Sequence, residues 1–141
     1  MKLIAIFTHP ILVVSLFCLA LVSGDHFGGF YLLYILMALP HGGIHALIAL
    51  AGIGLILFNY VRFKRQSKFL IDPLLNIVGV ALLYLSMVLF FRNSWNYNGQ
   101  TFGQMLPTIS YVVFGLVSLG FLVHSVVRLA HPRSNNPNPA Y

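Results

Sequence analysis

Apolar residues run through four long stretches of this chain, and the residues between them are mostly turn formers and cations. Residues 3–22 make the first stretch, closed by Ser23, Gly24 and Asp25. The third occupies residues 73–91, with Asp72 placed to cap a helix and Pro73 at a first helical position that needs no N–H. The fourth, residues 107–130, follows a polar loop of Arg92, Asn93, Trp95, Asn96, Tyr97, Asn98 and Gly99. About 20 apolar residues suffice to span about 30 Å of hydrocarbon, so each stretch predicts a transmembrane helix. Residues 132–141 read PRSNNPNPAY, polar and broken by proline, which predicts a disordered cytoplasmic tail behind a single membrane domain of residues 1–131.

The second stretch is irregular. Apolar residues continue from Phe27 to Val61, interrupted by Pro40, the glycines and two histidines. In one arrangement residues 27–39 are interfacial or re-entrant, with Phe27, Phe30, Tyr31 and Tyr34 as an aromatic belt, and residues 41–61 span. In the other, a tilted helix over residues 31–60 is kinked where Pro40 removes a backbone donor and Gly42 and Gly43 weaken the next turn. The expectation is an all-α integral membrane protein: four helices in an antiparallel bundle, the second broken or kinked between Pro40 and Gly43.

Composition points the same way. Of 141 residues, 59% are hydrophobic and 7% charged, against about 25% charged in a soluble domain. The net charge of +6 marks topology more than a binding stripe, because Lys2, Arg62, Lys64, Arg65, Lys68, Arg128 and Arg133 fall on one side of the spans and Arg92 alone on the other. That distribution predicts both termini in the cytoplasm of a cell (inner) membrane protein and argues against nucleic acid as a partner. A fifth span over residues 27–39 would carry the RFKRQSK segment to the outside. The first stretch is long for a signal peptide and is interrupted by Thr8, His9 and Pro10, so it reads as a retained helix. Cys18 is the single cysteine, which excludes an internal disulfide and a CxxC pair.

Apart from Arg128 in the last turn of the fourth stretch, no Asp, Glu, Lys or Arg lies inside an expected span, and the titratable groups considered next are the histidines, of which the chain has six. His41 and His45 stand four apart and on one helix would share a face, with His26 as a third metal ligand on the outer side. The spacing is not HExxH. Ala49 and Gly52 continue that face with small side chains, the pattern of close helix packing in membranes. His9 and His124 each lie about 9 Å inside the expected inner boundary, a level at which facing helices can ligate haem b. A hydrogen bond to a backbone carbonyl freed by Pro10 is the plainer role for His9.

Other polar residues fall into helical stripes: Thr8 and Ser15; Asn76, Gly79 and Ser86; Tyr111, Gly115, Ser118 and Ser125. Such stripes serve interhelical hydrogen bonds or a cleft for a quinone, lipid or small solute. The small-residue faces favour a non-enzymatic accessory, assembly or anchoring subunit, embedded in the lipid bilayer and packed against a membrane partner or its own copies. The alternatives are a histidine-ligated haem or metal redox subunit and a small oligomeric channel or transporter.

Overall fold

The computed structural model describes residues 7–24, 28–65 and 71–130. In chain order these form α1 (Pro10–Cys18), β1 (Leu21–Ser23), β2 (Gly28–Phe30), α2 (Tyr31–Ala38), a 3-10 turn (Leu39–His41), α3 (Ile44–Arg65), α4 (Ile71–Asn98), a second 3-10 turn (Gly99–Gly103) and α5 (Met105–Ala130). The architecture is all-α apart from the short ribbon β1–β2. Three segments, Ile44–Arg62, Ile71–Ser94 and Met105–Val127, are long and apolar enough to cross a membrane. They are consistent with a multi-pass membrane protein built as a helical bundle.

Helix α1 packs between α3 and α5, and α4 packs between the same two from the other side, so the four helices close a ring. The burial of 39% of the span of α4, against 28% for α3 and for α5, makes α4 its central member. Phe17, Tyr31, Phe90 and Phe114 meet in the middle with ring centroids 5.2–5.8 Å apart, within the range that favours edge-on and tilted aromatic pairs.

The first stretch departs from the expected helix over residues 3–22. Helical conformation ends at Cys18, and Leu21–Ser23 pairs antiparallel with Gly28–Phe30. The described part of this helix rises about 14 Å, too little to cross a bilayer alone. The ribbon persists because its free edge finds partners outside the ladder. Leu21 N–H donates to Ser110 Oγ (3.0 Å), and Thr101 Oγ1 both accepts from Ser23 N–H (3.0 Å) and donates to the Ser23 carbonyl (2.8 Å). Non-helical backbone within a membrane-embedded protein requires this kind of internal pairing.

The second stretch is two helices. Helix α2 is followed by the turn at Leu39–His41, and Gly42 then takes a left-handed conformation, φ +68°, a common helix terminator that only glycine adopts without strain. Gly43 packs so closely that an added Cβ would stand 2.7 Å from Ala38 Cβ. Helix α3 begins again at Ile44, and α2 lies beside its first turns.

The third stretch is longer than expected. Helix α4 begins at Ile71, so Asp72 sits in its first turn instead of capping it, and the expected polar loop from Arg92 to Asn98 is helical. Ser94 bends it (φ −115°, ψ 15°), and its hydroxyl donates to the Phe90 carbonyl at 2.7 Å, a back-bond that often bends helices. Charges therefore do lie in the membrane-length segments: Arg62 and Asp72 at the ends joined by residues 66–70, and Arg92 near the other end. Arg62 Nη2 pairs with Asp72 Oδ1, which removes the cost of leaving either ion unpaired. Helix α5 starts two residues before the expected 107. Lys2, Lys68 and residues 131–141 are outside the described residues.

Candidate functional site

The antiparallel seam between α3 and α4 has heptad spacing on both helices. Asn59 meets Asp72, Gly52 meets Gly79, and the His45 carbonyl meets Ser86. At Gly52 an added Cβ would stand 2.9 Å from the Gly79 carbonyl oxygen, so the two backbones touch there. Lipid provides no hydrophobic drive for helix association, and dispersion at such close contact replaces it. Ile56, fully buried, packs at Gly79 on the same seam.

Polar side chains stitch the seam at both ends. Asn59 Nδ2 donates to the Asp72 carbonyl and to Asn76 Oδ1, both at 2.8 Å, and Asn76 Nδ2 donates onward to Ser125 Oγ on α5 (2.9 Å). Near the other end Ser86 Oγ donates to the His45 carbonyl (2.7 Å). Its one proton is thereby committed, so the Tyr31 hydroxyl, 2.8 Å away, donates to Ser86. Ser118 Oγ shares a hydrogen bond with the Tyr84 hydroxyl at 2.8 Å. Two of the expected polar stripes thus converge, joining Asn76 to Ser125, while the partners Tyr31, Asn59, Tyr84 and Thr101 were not anticipated. Asn59 was within reach: the small-residue face through His45, Ala49 and Gly52, continued at heptad spacing, arrives at it. Thr101 sits in a 3-10 turn where no period applies, and Tyr31 opens α2 while its partner Ser86 lies 55 residues away.

The histidines are distributed over separate elements. His41 closes the 3-10 turn, is exposed, and its Nδ1 is 3.0 Å from the Met37 carbonyl, to which it donates. His45 lies in the first turn of α3 with its ring 5.3 Å from that of Phe90. Because Gly42 interrupts the helix between them, the shared helical face proposed for this pair is not formed. His45 Nε2 is buried and has no hydrogen-bond partner among the described residues. His26 is outside the described residues, and among those described no group of three His, Cys, Asp or Glu side chains gathers as a metal site would require. His9 caps α1, its Nδ1 accepting from Ile11 N–H at 3.3 Å, and its ring stands edge-on to Tyr60 at 5.1 Å. It therefore serves a freed backbone donor, not the freed carbonyl expected beside Pro10. His124 lies on α5 and is partly buried.

The α4–α5 interface differs from the glycine seam. The two helices meet through large side chains and leave between them a groove of about 380 Å³. Tyr84, Met87, Val88, Phe91 and Arg92 line it from α4, Tyr111 and Phe114 from α5, and Phe102 from the connecting turn. The Phe91 and Phe102 rings flank Tyr111 at 5.7 and 5.5 Å. The Tyr111 hydroxyl is buried with no hydrogen-bond partner among the described residues, a costly state for a polar group in apolar surroundings. Val88 and Phe102 are about half exposed, so the groove opens sideways. The groove is an apolar cleft, with Arg92 and two tyrosines among the residues that line it.

Fold and site together define a small, mostly helical protein with helices of membrane-spanning length, one tight interface and one open one. No protein-family model matches the chain, and neither the curated proteins nor the solved structures contain a match.

Proposed function

We propose that this protein is a non-enzymatic accessory, assembly or anchoring subunit of a membrane complex. It spans the membrane with both termini on the cytoplasmic side and packs against a partner or further copies of itself. The observation that supports this reading is the use made of the polar side chains within the bundle. Asn59, Asn76, Ser86, Ser118 and Ser125 hold helices to one another, while Val112, Leu116, Leu119 and Val123 form an exposed apolar face along α5. Such contacts fix a scaffold and present a surface. Photocrosslinkers placed at Leu116 and Leu119 in native membranes should yield adducts with a protein, and the purified protein in mild detergent should be larger than a monomer. Lipid adducts alone, together with a monomer, would falsify this reading.

A histidine-ligated redox subunit is the second reading, favoured by one observation: the buried Nε2 of His45 has a lone pair or proton with no partner among the described residues. Visible absorption and metal analysis of protein from cells supplied with haem and metals decide it. A colourless, metal-free preparation removes it.

A further inference from the structure

We propose that the groove between α4 and α5 binds one acyl chain of an anionic phospholipid, its phosphate at Arg92 and one ester carbonyl at the Tyr111 hydroxyl. Three observations converge on this occupant. The groove wall is aromatic and aliphatic apart from Arg92 and the tyrosine hydroxyls, so it accepts a hydrocarbon chain and rejects a free anion. It opens sideways past the exposed Val88, towards the acyl chains of a surrounding bilayer. Arg92 is among its lining residues, and Tyr111, which also lines it, has a buried hydroxyl with no acceptor among the described residues; a phosphate and an ester supply partners for both.

Charge selects the headgroup. Among the described residues Asp72 is the only carboxylate side chain, and it is held by Arg62 at the opposite end of α4; Asp25 lies outside them. A partner helix fits this volume poorly, because with its side chains a helix is about 10–12 Å thick.

The test uses the full chain reconstituted in vesicles of equal parts dioleoylphosphatidylglycerol and dioleoylphosphatidylcholine, then released into mild detergent for native mass spectrometry. One lipid per chain should be retained, with phosphatidylglycerol preferred about fivefold, the effect of one basic residue near a headgroup. Arg92→Gln should erase the preference while leaving retention of phosphatidylcholine, and Arg92→Lys should keep it. Tyr111→Phe should lower retention of both lipids about threefold, the value of one hydrogen bond in a membrane interior. Equal retention of the two lipids by the wild type, or an undiminished preference in Arg92→Gln, overturns the proposal. So does a quinone or a polypeptide found in the groove in place of lipid. If Arg92→Gln does not fold, the wild type is read at rising salt: a preference that falls supports the proposal and a constant one overturns it. The outcome is separable from the accessory-subunit reading, whose crosslinking positions Leu116 and Leu119 do not line the groove.

Discussion

Against α3, helix α4 lies backbone to backbone at Gly52 and Gly79; against α5 it stands off behind Tyr84, Phe91 and Phe114. Both interfaces are antiparallel, apolar and bridged by hydrogen bonds, yet one is closed and the other holds a groove. The difference lies in side-chain size at the crossing. Glycine brings backbones into dispersion contact along a whole seam, whereas aromatic rings touch at their edges and leave space between. A closed interface gives rigidity, and an open one gives a place for a ligand. Asn76 couples the two, since it accepts from Asn59 on α3 and donates to Ser125 on α5.

The contrast can be broken most directly at the ion pair that anchors the closed side. Arg62→Ala removes the cation paired with the buried Asp72 carboxylate and should cost about 3 kcal/mol, read as a lowered unfolding midpoint in mixed micelles. Gly52→Ala comes next. Its Cβ would meet the Gly79 carbonyl, which belongs to the backbone and cannot rotate away, so overpacking should destabilise by about 2 kcal/mol. A neutral result at Gly52 would mean that the helices do not cross there. Asn76→Ala should cost about 1 kcal/mol, somewhat more than the average of about 0.6 for one such bond, because it removes links to both neighbours. Gly120→Ala on α5, where an added Cβ meets nothing within 4 Å, should instead stabilise by about 0.5 kcal/mol through helix propensity. Opposite signs at Gly52 and Gly120 in one assay would be the sharpest statement of the comparison.

Much of the closed interface was legible beforehand. The small-residue face through His45, Ala49 and Gly52 is a periodic signal, and it marks the side of α3 that meets α4. The charge distribution marks residues 62–68 as one flank of the bundle, and Arg62 and Asp72 do meet there. The open interface was not legible in the same way. Tyr111 belongs to a recognisable polar stripe, but nothing in its spacing says that its hydroxyl is left without a partner while Ser118 and Ser125 on the same face find theirs. The ribbon was invisible because Leu21 and Val22 read as the end of an apolar helix. Their extended conformation depends on Thr101 and Ser110, roughly 80 to 90 residues away in sequence.

The amino-acid sequence by itself determined the class of structure. Apolar runs of about 20 residues with so few charges are satisfied by helices, which pair their own backbone within the segment. It also determined that the chain between Tyr31 and Val61 would be irregular, since Pro40, Gly42 and Gly43 weaken helix locally. Tertiary structure decided which polar groups pair, where helix gives way to ribbon, and which of the two faces of α4 closes. Those outcomes depend on side-chain volumes and hydrogen-bond partners from distant segments meeting at one level of the bundle, and periodicity along a single helix carries no record of what stands opposite.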